Sequence, residues 1–174
     1  MDQGTGLLAD AEMKARVSCR IAATLLVVMC VSGQSYTAGD LDAAFGTDTL
    51  VISASQLGCH RFEVWVAVAG RQHSRGLMHV RDLHPNAGMI FIYTEPARRS
   101  MWMKNTYIPL DILFIRADGS VSSMIENTEP LSLRSISSIE PVTFVLELNA
   151  GTAERLKIAP GDQMVWSNPS METL

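Results

Sequence analysis

The chain is poor in cysteine, in aromatic residues and in net positive charge, and each shortage closes a class of explanation. Its 174 residues include three cysteines, Cys19, Cys30 and Cys59. The first two fall in a stretch with the marks of an export signal, so a mature chain would keep Cys59 alone and form no internal disulfide. Lys and Arg number 14 against 18 Asp and Glu, a net charge of −4, which argues against the phosphate neutralisation that nucleic-acid binding requires. No Gly-x-Ser-x-Gly elbow is present, and Cys59 has His60 merely beside it in sequence, which does not aim a base at a thiol; a buried or unreactive thiol is the expectation. There is no internal repeat and no Gly-X-Y or heptad regularity. Charged residues make up 18% and hydrophobic ones 47%, a composition that excludes a disordered chain and suits one folded domain.

Long hydrophobic runs are missing too. The longest candidate, Ile21 to Gly33, has thirteen uncharged residues, short of the roughly 20 that a membrane-spanning helix needs. It follows the basic segment Met13 to Arg20 and ends with Val31 and Gly33 at the −3 and −1 positions of a signal-peptidase site. The expected organisation is an upstream extension over 1–12 with a start at Met13, a signal peptide over 13–33, and a linker over 34–50. A single β domain over 51–168 and a tail over 169–174 follow. Cleavage after Gly33 removes as many basic as acidic residues, so the charge balance persists. The mature chain is then periplasmic or secreted. The alternative is a chain anchored by an uncleaved N-terminal segment; a lipid on Cys30 is disfavoured by the large Met29 before it.

Periodicity supplies the elements. Phe62, Val64, Val66 and Val68 alternate as in a half-buried strand. Gly70 to Met78 reads as a short helix, and Leu83 to Gly88 as turn chemistry. Met89 to Tyr93 is a strand broken by Glu95-Pro96, and Met101 to Thr106 a third strand. The apolar run Ile112 to Ile115, a two-residue turn at Asp118-Gly119, and Val121 to Glu126 read as a hairpin. After a Ser- and Pro-rich loop, Val142 to Leu148 alternates again. Thr152 can cap a helix over Ala153 to Ile158, and Pro160-Gly161-Asp162 turns the chain into a last strand, Gln163 to Trp166. The expected fold is mainly β, an antiparallel sandwich or partly closed barrel with two short helices.

Five motifs occur together: Arg75-Gly76-Leu77-Met78, Gly88-Met89-Ile90-Phe91, Trp102 through Ile115, Leu146 through Ala153, and Pro160-Gly161-Asp162. In this order and spacing, over Phe62 to Trp166, they resemble the bacterial and archaeal family called domain of unknown function 192. The resemblance implies a small, mainly β, sandwich-like domain that is often exported, with no established activity. Many members of the family carry a cysteine in the loop before the late strand. This chain has Leu131 to Ser135 there, so redox chemistry built on that cysteine does not carry over.

Lys104, Asn105 and Asp111 stand out as polar residues in the apolar central motif. With Arg75 they could contact a small polar ligand in a cleft walled by Trp102 and Met103. The competing reading is structural: Lys104 and Asp111 pair with each other or with Arg75, and Asn105 satisfies the backbone before Pro109. Met78, His79, His84, Met89, Met101 and Met103, with Cys59 and His60, are soft ligands, but without metal-site spacing; Met78, Met89 and Met103 read as core packing, and no metal or cofactor is expected. His60 and His73 read as solvent-facing loop residues. The functional expectation is an exported small-molecule-binding or accessory module. One alternative is a hydrolase or transferase using an acid–base pair such as Asp111 and Glu126, although no catalytic residue can be named. The other is a protein-interaction module. The partner is a small molecule or a protein, with no nucleic acid, and with a membrane only through the N-terminal segment.

Overall fold

The computed structural model describes residues 41–166. The expected signal peptide, the first part of the expected linker and the C-terminal tail lie outside the described residues. The elements are β1 (Gly46–Ala54), β2 (Gly58–Ala67), α1 (Gly70–Arg75), β3 (Ala87–Ala97), β4 (Ser100–Met101), β5 (Leu110–Ile115), β6 (Val121–Ile125), β7 (Ile136–Ser137), β8 (Val142–Asn149), α2 (Thr152–Leu156) and β9 (Gln163–Val165).

The linker expectation fails at its C-terminal end. Strand β1 begins at Gly46, and Leu41 and Phe45 are already core residues. Thr47, Asp48 and Thr49 hid it, being polar residues on the open part of a strand whose apolar positions, Leu50, Ile52 and Ala54, come late.

Seven strands form one sheet in the order β6-β5-β8-β3-β2-β1-β9, and β4 pairs with β7. Every pairing is antiparallel except β2 with β3, which run parallel because α1 carries the chain back between them. The two edges of the sheet approach each other. Ser120 bridges Gln163, the Val121 N–H donates to the Asp162 carbonyl, and the Met164 N–H donates to the Gly119 carbonyl. The sheet is therefore a curled half-barrel, the partly closed form of the expected architecture.

Strands β5 and β8 are buried on both faces, which is why they read as near-continuous apolar runs. On one face Ile112, Phe114 and Val145 join Met89, Phe91 and Met103 in a first core; on the other Leu113, Ile115, Leu146 and Leu148 join Phe62, Val64 and Ile90 in a second. The hairpin lies where expected, but its turn is one residue longer. The Arg116 N–H donates to the Ser120 carbonyl, and Gly119 takes φ 84° between them. This is the three-residue loop with a left-handed glycine.

Three other segments depart from expectation. Strand β3 runs on through Glu95-Pro96 with a register shift after Ile92, a bulge that tolerates proline. The expected strand over Met101 to Thr106 reduces to the two residues of β4, and the chain beyond is loop. Helix α1 stops at Arg75 because Gly76, at φ 46°, cannot continue it. Cys59 is exposed on β2, not buried.

Gly88 has no room for a side chain. A Cβ there would lie 2.6 Å from the Glu147 carbonyl oxygen and 2.7 Å from a Leu148 methyl group. Gly88→Ala is expected to destabilise the fold by about 2 kcal/mol through overpacking at the β3–β8 seam. A lowered midpoint in urea denaturation at unchanged slope checks it; an unshifted midpoint would show that the seam relaxes freely.

Candidate functional site

Two of the side chains expected to form one cleft, Asp111 and Met103, enter opposite faces of the sheet. Asp111 lies between Leu110 and Ile112, which belong to the first core. Its own side chain points with Leu113 and Ile115 into the second, where it is fully buried. There Oδ1 accepts the Asn127 N–H at 2.9 Å and Oδ2 accepts the Ala153 N–H at 2.9 Å. Helix α2 starts at Gly151, which has no capping side chain; Thr152 makes no cap bond, and Asp111 does that work from across the fold. With both oxygens committed to backbone, Asp111 is no acid–base partner for the exposed Glu126.

Met103 is on the opposite face, wholly buried in the first core, with its Sδ accepting the Thr128 hydroxyl at 3.2 Å. Lys104 is exposed and pairs with no carboxylate among the described residues; its Nζ sits 5.1 Å from the centroid of the Trp102 ring, itself 47% exposed. Asn105 takes φ 56°, its carbonyl accepts the His79 N–H at 2.8 Å, and its Nδ2 lies 3.8 Å from the Met78 sulfur. The Arg75 guanidinium is 5.5 Å from the Phe45 ring centroid. The pairing of Lys104 with Asp111 foreseen as the structural reading is absent. Lys104→Met is accordingly expected to change stability by less than about 1 kcal/mol, the range of an exposed cation–π contact. A larger loss in thermal denaturation would reveal a role for the ammonium that this geometry lacks.

A different polar group emerges on the face of the first core. In β8, Thr143, Val145 and Glu147 alternate with the second-core residues Phe144, Leu146 and Leu148. Glu147 is paired across the strands with Met89 and Ile112. It is 4% exposed and has no hydrogen bond or ion pair among the described residues. Burial alone pushes its carboxyl up to about 8. Thr143, also buried, has a hydroxyl without a partner among the described residues.

Tyr93, two residues beyond Phe91 on β3, packs against the same core. The Arg99 guanidinium lies 3.9 Å from its ring centroid, and the His73 ring, on α1, lies 4.6 Å from it. Both Arg99 and Glu147 act electrostatically on the Tyr93 phenol: burial raises it most, Arg99 lowers it, and Glu147 raises it further. Arg99 donates one arm to the Glu95 carbonyl, but its buried Nε has no partner among the described residues. Gly76 faces this group from above. A Cβ there would lie 3.2 Å from Phe91 Cζ and 4.0 Å from Glu147 Oε2.

His73 is thus half-buried against Tyr93, with Nε2 3.0 Å from the Ala67 carbonyl, and His60 is half-buried on β2; neither is a solvent-facing loop residue. Sequence reasoning passed over Glu147, although a lone acid inside a doubly buried strand was a visible signal. Thr143 and Arg99 carried none, since their burial depends on what covers β8.

A curled half-barrel β domain with a buried polar group on one sheet face is the class that these features define. The chain belongs to the DUF192 family, "Uncharacterized ACR", whose pattern matches residues 50–166. It is similar to a crystal structure of a Sinorhizobium meliloti 1021 protein named as a candidate transcription regulator, with 42% identity and a TM-score of 0.68 over 70% of this chain and 94% of that one. It is also similar to a protein of unknown function from Novosphingobium aromaticivorans DSM 12444, with 34% identity and a TM-score of 0.67 over 69% and 85% of the two chains. No curated protein matches.

Proposed function

We propose that this chain is an exported module that binds a small molecule, and that the ligand is received on the face carrying Glu147, Thr143 and Arg99. One observation carries the reading: on that face the Thr143 hydroxyl and the Arg99 Nε have no hydrogen-bond partner among the described residues, and no neighbouring charge or hydrogen bond there offsets the burial of the Glu147 carboxyl. Each such group costs stability unless something satisfies it. The rest of the face, Met89, Phe91 and Val145, is apolar, the mixture that suits a small organic ligand. Export rests on the basic segment and uncharged run that end at Gly33. The regulator designation of the Sinorhizobium protein is not carried over, because a net charge of −4 disfavours a phosphate-binding surface.

A second reading keeps one observation in its favour. A carboxyl raised to about 8 is poised as a general acid, so the hydrolase or transferase alternative moves from Asp111 to Glu147.

Native mass spectrometry of the protein purified from an exporting host tests the binding reading. The expected result is a stoichiometric adduct that survives Lys104→Met and is lost in Thr143→Val and Arg99→Met. An adduct indifferent to the last two variants would place the ligand elsewhere.

A further inference from the structure

We infer that the paired loops around Trp102 and Leu133 dock onto an anionic lipid surface, their apolar side chains entering the head-group layer and their cations meeting lipid phosphates. The inference is independent of the Glu147 face. Strands β4 and β7 hold the loops together, with Ser100 opposite Ser137 and Met101 opposite Ile136. Beyond them the Met103 N–H donates to the Ser132 carbonyl at 3.1 Å, and the Leu131 N–H donates to the Thr106 carbonyl at 3.0 Å. The two segments therefore run antiparallel. Met101, Met103 and Ile136 pack on the first core, while Trp102, 47% exposed, and Leu133, 70% exposed, stay open. Tyr107 and Leu131, at 37% and 55%, join them. Single exposed apolar residues are ordinary, but four on two adjoining loops mark a contact surface. Leu131 also takes φ 63°, a left-handed conformation that a branched side chain rarely adopts and glycine adopts freely. Its side chain belongs to neither core.

The charge on these loops has one sign. Ala97 to Leu110 and Pro130 to Ile139 contain Arg98, Arg99, Lys104 and Arg134 and no acid, in a chain whose net charge is −4. Of the acids that bound the two segments, Asp111 is buried with both oxygens on backbone, and Glu140 pairs with Arg116. Glu95 and Glu129 remain exposed at the outer ends. Arg81, followed by Asp82, adds a guanidinium 4.6 Å from the Tyr107 ring centroid. Lys104 carries its ammonium 5.1 Å from the centroid of the Trp102 ring, so the indole and the cation reach head-group depth together. Aromatic and leucine side chains bordered by Lys and Arg are the composition that enters the interface of an anionic bilayer. The cations are spread along both loops, which suits a plane of many phosphates better than one acidic group on a protein.

Co-sedimentation of the protein purified from an exporting host tests the docking, with vesicles of equal parts phosphatidylglycerol and phosphatidylcholine set against pure phosphatidylcholine. The expected result is binding to the anionic vesicles that weakens as salt is added, and binding about tenfold weaker to the neutral ones. Lys104→Gln and Arg134→Gln should each weaken binding about fivefold, and Leu133→Ser about tenfold. Leu131→Gly separates docking from folding. It relieves the left-handed leucine, so it should keep or raise the urea midpoint while weakening binding several-fold. Brominated lipid should quench Trp102 fluorescence, and Trp102→Phe should remove that quenching, since Trp65 and Trp166 hold their indole N–H groups on Asp42 and Asp48. Equal binding to both kinds of vesicle would overturn the inference. Binding unchanged by Leu133→Ser and Leu131→Gly would overturn it too, and would assign the contact to the N-terminal segment. Absence of vesicle binding would overturn it as well; self-association lost in the same variants would then make the occupant a second copy of the chain.

Discussion

Asp111→Ala is expected to destabilise the fold by about 4 kcal/mol, although Asp111 was a candidate ligand contact. Its carboxylate is fully buried and accepts two backbone N–H groups, from Asn127 and Ala153, both at 2.9 Å. Hydrogen bonds to a charged group contribute about 1.5–3 kcal/mol each. The two losses differ in kind. Asn127 is exposed, so water can replace its partner, whereas Ala153 is fully buried at the start of α2 and its N–H would be left without an acceptor. Asp111→Asn keeps one oxygen and should lose about half as much. Urea denaturation of the three proteins measures this. A loss below about 1 kcal/mol for Asp111→Ala would show that α2 does not depend on the carboxylate, and would return Asp111 to the pool of functional candidates.

Glu147→Gln should act in the opposite direction, raising stability by about 3 kcal/mol at pH 7. The carboxyl titrates near 4.5 in the unfolded chain and at about 8 in the fold, because burial without a partner disfavours its charge. Below the lower value both states hold the proton, and Glu147 costs no more than its neutral amide analogue. As pH rises, the unfolded chain releases its proton first, so stability falls from about pH 4.5 until about pH 8 and then levels. At 1.36 kcal/mol per pH unit, the deficit is about 3 kcal/mol at pH 7. The amide of the variant cannot ionise and escapes this loss. Denaturant midpoints at pH 4.5, 6, 7 and 8.5 should diverge between the two proteins over this window and meet at its acid end. Asp162 acts in a separate window. Burial raises its carboxyl, but hydrogen bonds from Ser55 and Ala159 outweigh that and hold it below its ordinary range, so its contribution is lost as pH falls through more acid values. Parallel curves for Glu147→Gln and the parent protein would mean that Glu147 is paired in solution, and would remove the observation on which the ligand site stands.

The strands that were legible owe it to composition. Strands β5 and β8 are buried on both faces, and β2 on one, so each announces itself as an apolar run or an alternation. Strand β1 did not, because Thr47, Asp48 and Thr49 lie on its open part and its core positions cluster at one end. The stretch after Met101 looked like a strand because Met103 is apolar; it is buried by loop packing, where no ladder is needed. The candidate site was misread for a related reason. Met103 and Asp111 belong to one motif, and nothing in their spacing says that their side chains enter opposite cores.

What the sequence by itself determined is therefore local: a mainly β domain, its hairpin, its two short helices and its family. These follow from side-chain alternation and turn chemistry, which act over a few residues. Only the tertiary structure decided which face each polar residue occupies and what covers it. Shifting the pairing of a strand by one residue exchanges its faces, and pairing is settled by partners far along the chain. Glu147 opposite Met89, with Gly76 above it, is an arrangement of three segments. Burial, which makes that carboxyl unusual, is a property of all three together.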